Sequence, residues 1–399
     1  MVAKYRSVLT VPGSLRLLAS ALVGRWPQGM SSLAILLLVR GTTHSYAVAG
    51  LAVGANAFAS AASAPLQGRL VDRFGRAPVL APSALGQAVV LVALVLSCSA
   101  HAPGAVLVLL AAIAGTMLPP IAPTLRALLR EVFPDAGVRE TAYALDSVIQ
   151  ELVWVTGPLL VALVIAVASP AAAVLLLAAV GIVGTLLFVR SPLARGSGTR
   201  AAHVPRTAVL ANRELRALLA PVALTGVGLG AIEVGLPSLA LHAGSRPASG
   251  LLLALWSVGS ITGGLWYGSR VWNASLGNRY RLLLGLAVLC TAPLILARSI
   301  PAGIVCSLLA GLTIAPVFSC QYALVGRAVT PGAETEAFTW VSAALVAGIA
   351  AGSAAGGATI GPGGVSAPFV ISCLATMLGA VIAVRMGEPG VSVGVQSSA

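Results

Sequence analysis

Apolar runs long enough to cross a lipid bilayer follow one another along this chain almost without pause. The hydrocarbon core of a membrane takes about 20 apolar residues per helix, and the 399 residues here divide into twelve such runs. The first six cover 14–39, 46–67, 79–99, 104–129, 140–166 and 170–190. The second six cover 216–241, 249–270, 281–298, 301–326, 336–358 and 366–385. Composition agrees: 58% of the residues are hydrophobic, 9% are charged, and mean hydropathy is +0.98. A soluble domain carries about 25% charged residues because something must face water. This sequence therefore predicts an all-α membrane protein of 12 transmembrane helices.

The net charge of +13 comes from one lysine and 23 arginines set against 11 acids. The arginines sit in short loops, not along one helix face or beside aromatic residues, so they report topology and not nucleic-acid binding. They concentrate in the N-terminus, in loops 67–78 and 130–139, in the 191–215 stretch, and in loops 270–281 and 327–335. The alternate loops hold little beyond Arg40, Arg246 and Arg298. The excess of positive charge on cytoplasmic loops then places both termini in the cytoplasm, which matches an even helix count. The basic N-terminus leads into an apolar run expected to be a retained signal anchor. The five cysteines fall in apolar runs without metal-ligand spacing, and read as small buried hydrophobes. The four histidines, His44, His101, His203 and His242, form no metal site, and no cofactor is expected.

The chain also repeats itself. A shift of 196 residues aligns Gly68 with Gly264, Ala114-Gly115 with Ala310-Gly311, Pro120 with Pro316, and Glu140 with Glu336. Three regions follow: an N-terminal six-helix bundle over 1–190, a cytoplasmic linker over 191–215, and a C-terminal six-helix bundle over 216–399. Parallel repeats of this kind form a transporter architecture, with the substrate site near midplane between them.

Between the second and third runs lies Gly68-Arg69-Leu70-Val71-Asp72-Arg73-Phe74-Gly75-Arg76. It matches G-x-L-x-D-R-x-G-R at every defined position and so resembles the signature loop of the major facilitator superfamily of secondary transporters. The resemblance implies a bacterial drug or metabolite exporter acting as a monomer, and an arginine-rich, alanine-rich composition points the same way on source. It further implies that Gly68, Asp72, Arg73, Gly75 and Arg76 form a conformational latch. In such a latch, Asp72 sits at the start of helix 11, where the helix dipole favours a carboxylate by about 0.3–1 kcal/mol. The second-half counterpart, Gly264 to Arg270, lacks the acid, so the latch is expected to be asymmetric. Gly157-Pro158 in helix 5 resembles the core of an exporter motif, but Val161 and Ala162 replace its later glycines. A plain kink at Pro158 is the competing reading.

Ionisable residues at membrane depth are costly and usually functional. Arg25 in helix 1 and Glu233 in helix 7 fall on helices that the resemblance implies line the central cavity, and Asp146 and Glu151 lie in helix 5. Arg25 is expected to hold a negative substrate group, or else to pair with Glu151 or Glu233 and fix packing. Glu233 or Glu151 is expected to carry the coupling proton, since a carboxyl in a low-dielectric cavity holds its proton more tightly. Asp146 is expected nearer the cytoplasmic end, paired with Arg126 or Arg130, with Arg126 snorkelling to the interface. Trp26, Gln28, Trp154, Trp256, Trp340 and Gln150 are candidate lining residues. No H-E-x-x-H, G-x-S-x-G or P-loop appears, so enzymatic activity is not expected. The expected function is proton-coupled efflux of a small molecule across the inner membrane. Proton-coupled uptake and a non-transporting sensor or scaffold are the alternatives.

Overall fold

The structure is a computed structural model that describes residues 2–196, 208–329 and 331–385. The middle of the expected linker, 197–207 with Arg200, His203 and Arg206, and the tail 386–399 lie outside the described residues. Every regular element described is helical. The first half contains α1 (Val2–Leu9), α2 (Ser14–Thr43), α3 (Tyr46–Phe74), α4 (Arg76–Ser99), α5 (Gly104–Thr116), α6 (Ile121–Val132), α7 (Ala136–Val167), α8 (Pro170–Val189) and the short α9 (Pro192–Gly196). The second contains α10 (Ala208–Ala211), α11 (Arg213–His242), α12 (Arg246–Gly268), α13 (Leu276–Thr291), α14 (Ile300–Gly311), α15 (Ile314–Ala328), α16 (Glu334–Gly363) and α17 (Ala367–Arg385). Among the described residues, eleven helical segments are long and apolar enough to cross a membrane. Where the run 281–298 was expected, α13 is a 16-residue helix that ends in a 3-10 turn, Ala292–Ile295.

Two expected spans are broken, and at equivalent places. The run 104–129 parts between α5 and α6 at Met117–Pro120, and the run 301–326 parts between α14 and α15 at Leu312–Thr313. Met117 and Thr313 are 196 residues apart, the register of the internal repeat. Pro119 and Pro120 account for the first break, since proline removes a helix donor and clashes with the preceding turn. The signature segment differs more from expectation. It is not a loop: α3 stays helical through Phe74, and Gly75, at φ 92°, is the only residue between α3 and α4. A left-handed backbone there favours glycine.

Lipid offers no hydrophobic force to press helix on helix, so close packing of small residues does that work. Gly226 and Gly230 of α11 meet the backbone of Leu345 and Ile349, while Gly348 and Gly352 of α16 meet Ala223 and Val227. The two glycine series interleave. In α4 the same logic shows from outside: Leu85, Val89, Val92 and Leu96 form an exposed stripe, while Ala84, Ala88, Leu91 and Val95 are buried.

Replacing Gly352 by valine sets a side chain against the Val227 carbonyl, and overpacking of this kind costs about 1–3 kcal/mol. The Gly352→Val variant is expected to unfold several degrees below wild type in detergent, followed by heat-dependent loss of the monodisperse chromatographic peak. Gly357 has open space around it, so Gly357→Ala is expected to leave that temperature unchanged or slightly raised. Equal behaviour of the two variants would count against the packing account.

Candidate functional site

Three charges meet inside the first half. Glycines bring the helices close enough for this. Gly24 of α2 packs on Gly184 of α8, and Gly157 of α7 lies against Gly29 of α2, where an added Cβ would come within 2.7 Å of the Gly29 carbonyl carbon. Helix α7 runs through Pro158 unbroken. Arg25 is thereby held against α7, and its Nη2 lies 2.5 Å from Asp146 Oδ1. From the other side Arg126 of α6 donates Nε to Asp146 Oδ2 at 2.8 Å. All three side chains are buried, with Asp146 at 0% exposure.

This arrangement overturns two expectations. Arg25 pairs with Asp146, not with Glu151 or Glu233. Arg126 does not snorkel: it is 4% exposed, and its guanidinium lies 3.8 Å from the centroid of the Tyr322 ring. Asp146 is held by Arg126 as one of its two partners. Arg130 instead reaches the second half, donating to the Val329 carbonyl at 2.8 Å and meeting Glu334 at 3.4 Å.

Beneath the triad the two halves close on a plug of rings. Tyr143, Tyr322 and Phe338, from α7, α15 and α16, stand with centroids 6.3 Å apart in each pairing. Phe318 stacks on Tyr322 at 6.1 Å. On the other side of the triad, Glu151 of α7 turns toward the Ser257 and Ser260 hydroxyls of α12 and interacts electrostatically with Glu233 of α11. Glu151 is buried, whereas Glu233 is exposed. The two glutamates stand on opposite halves of the chain.

Trp26 spends its indole N–H on Thr156 Oγ1 at 2.9 Å, which ties α2 to α7. Gln28 is half-buried one turn beyond Arg25. Trp154 is 45% exposed, Trp256 is buried and Trp340 is half-buried.

Beyond the plug, at the arginine-rich end of the bundle, two clasps join the halves. In the first, Asp72 accepts hydrogen bonds from the backbone N–H groups of Thr335 (3.1 Å) and Glu336 (2.9 Å) in the first turn of α16. Gly68 makes room, since a Cβ there would come within 2.9 Å of Glu336 Cα, and Arg69 meets Glu336 at 3.3 Å. Arg76 turns back into its own half to Glu131 and the Ala194 carbonyl. Arg73 lies over Phe74 at 5.0 Å.

The second clasp had no signature in the sequence. Glu140 of α7 takes both terminal nitrogens of Arg279, at 2.8 and 2.9 Å, and Arg279 also donates to Tyr267 Oη at 3.1 Å. Thr141 Oγ1 donates to the Gly268 carbonyl at 3.0 Å. The acid missing from Gly264–Arg270 is supplied from the opposite partner. The one available hint was the alignment of Glu140 with Glu336, the residue beside which Asp72 docks. Helix α1, also unexpected, adds a strap: Tyr5 Oη donates to the Leu265 carbonyl at 2.6 Å, and Lys4 to the Arg270 carbonyl at 2.7 Å. Burial pushes the Tyr5 phenol up to about 12, so it remains a donor at neutral pH.

If the clasps hold this end shut, weakening them shifts the distance between halves. Spin labels on the two halves at this end of a cysteine-free protein are expected to report longer distances in Asp72→Asn and in Glu140→Gln. The double variant is expected to exceed either. An unchanged distance distribution in the double variant would show that closure does not depend on the two clasps.

The family profile described as Major Facilitator Superfamily matches residues 17–296. A search of curated proteins by sequence gives no match. Among solved structures, the human organic anion transporter MFSD10 (TETRAN) is similar at TM-score 0.72 and 19% identity, over 93% of this chain and 99% of that one. A bacterial homologue of the iron transporter ferroportin in an outward-facing state is similar at TM-score 0.76 and 14% identity, over 93% and 98%. At such identities the likeness is one of fold. With the profile match covering more than half its length and these neighbours sharing its architecture, the chain belongs to the Major Facilitator Superfamily and is a multi-pass membrane transporter.

Proposed function

We propose that this protein exports a small organic molecule across the cytoplasmic membrane in exchange for protons, as a monomer working by alternating access. The observation that carries this reading is the placement of Glu151 and Glu233. They stand on facing halves, between a floor closed by rings and clasps and a side of the molecule on which, among the described residues, no hydrogen bond between halves is recorded. Two acids that sense each other across a moving interface can hold a proton in one conformation and release it in the other. The clasped, arginine-rich end is the cytoplasmic end by its charge, so this conformation opens outward, the state of the ferroportin homologue it resembles in fold.

The other residues take roles around that step. Asp146 fixes Arg25 and Arg126 at the cavity floor, and Arg25 is the group from which a substrate or a shifting carboxylate draws charge. Asp72 with its loop, and Glu140 with Arg279, hold the cytoplasmic side shut until the cycle releases them. Close contact of α2 and α7 at Gly29 and Gly157 lets these helices move together, and the Gly157-Pro158 resemblance favours export.

The test is substrate-driven proton movement in proteoliposomes, read with a pH-sensitive dye against a panel of organic anions, cations and sugars. Wild type is expected to move protons opposite to solute, and Glu233→Gln or Glu151→Gln is expected to abolish that movement. Solute flux that persists in both variants without proton movement would overturn the coupling. Protons and solute moving in the same direction would make the protein an importer.

A further inference from the structure

The unclasped end of the molecule carries charge of one sign. Its connecting segments, 40–46, 99–104, 167–170, 242–246, 292–300 and 361–367, hold Arg40, His44, His101, His242, Arg246 and Arg298, each exposed. Among the described residues they hold no aspartate or glutamate. His242 and Arg298 stand with Ser238 and Ser366 on the wall of a cavity of about 860 Å³ lined by the second half alone. Arg298 is fixed there by hydrogen bonds to the Ile295 and Ala297 carbonyls and to Ser366 Oγ. A cleft whose walls carry one sign of charge focuses the field and concentrates ions of the other sign.

Deeper in, hydrogen-bond donors are left over. Arg25 is 2% exposed, yet its Nε and Nη1 have no partner, and neither does Nε2 of the buried Gln150. Gln150 lies one turn past Asp146 on α7, on the side of the open end. Buried donors without acceptors are costly and few in natural proteins, so two such groups on adjoining helices call for an acceptor that arrives from elsewhere. The triad's charge asks for the same thing: two arginines and one aspartate leave +1 in a site closed to water.

Resting on the transporter reading above, we propose that the transported solute is a small organic anion. Its acidic group binds Arg25 and the Gln150 amide once the floor loosens on the clasped side, and the basic mouth draws it outward when that side closes again. A single negative charge neutralises the triad, and with Glu151 and Glu233 each carrying a proton, the path from mouth to Arg25 holds no repelling charge. An organic cation would meet positive charge at both ends of that path.

The probe is a defined mixture of small organic anions and size-matched organic cations, applied to the protein in nanodiscs and read by mass spectrometry of what is retained. Anions are expected at least several-fold above cations, with retention falling several-fold as ionic strength rises beyond the roughly 8–10 Å screening regime of physiological salt. Gln150→Leu, chosen because it conserves bulk if Arg25→Gln fails to fold, is expected to lose most of the anion retention. Arg298→Ser combined with Arg246→Ser is expected to slow association and flatten the salt dependence while leaving saturable binding. Preferential retention of cations, or retention of neither sign above a heat-denatured control, overturns the anion site. Cation-driven proton movement would leave the transporter reading standing without it. Retained anions that never move with protons would do the reverse.

Discussion

A carboxylate held between two guanidiniums in the interior of a membrane protein constrains everything built around it. Asp146 is inaccessible to water and bonded to Arg25 and Arg126, which fixes α2, α6 and α7 at one depth and one spacing. Removing one member of a buried pair typically costs about 3–5 kcal/mol, because the remaining charge is left uncompensated. Such a cluster tolerates little movement within the first half. Motion in the transport cycle must therefore occur between halves, on whose two sides Glu151 and Glu233 stand.

The clasps answer the triad in mechanical terms. Each joins a charged group of one half to the other half near a helix start, but their chemistry differs. Asp72 meets bare backbone N–H groups in the first turn of α16, a contact worth about 0.3–1 kcal/mol and up to about 2 where partly buried. Glu140 meets Arg279 as a bidentate pair, whose strength comes from charge assistance and matched geometry. Neither is strong enough to trap the molecule. Together with the ring plug they close one end in a way that modest changes in protonation or occupancy can undo.

Spans, repeat and family were legible in the sequence because each depends on local pattern: apolar length, arginine placement, one nine-residue signature. Side-chain pairing across helices was legible only where depth could be counted. Arg25 lies 11 residues into α2 (25 − 14) and Asp146 lies 10 residues into α7 (146 − 136), so at 1.5 Å per residue they stand at about the same level, roughly 15–17 Å from the arginine-rich end. The run expected at 140–166 set the start of α7 four residues late and made Asp146 look shallow. The snorkelling expected of Arg126 failed for a related reason, since the break at Met117–Pro120 rotates and shortens α6 in a way no hydropathy window records. The second clasp joins Glu140 to Arg279, 139 residues away, and nothing local announces it.

The same depth count orders the charges along the path. Glu151 is 15 residues into α7 and Glu233 is 20 residues into α11, which places them about 22 and 30 Å from the arginine-rich end, against about 15 Å for the triad. On the export reading, a solute leaving Arg25 and Gln150 passes Glu151, then Glu233, and reaches the basic mouth last. Two acids standing between an attractive mouth and a positively charged floor act as a gate whose sign depends on bound protons. Loaded, they let a negative group pass; emptied, they repel it and compete for Arg25 themselves. On the export reading proposed above, protons arriving from outside clear the way for the anion to leave, so the order of charges along one path couples the two fluxes without a separate device.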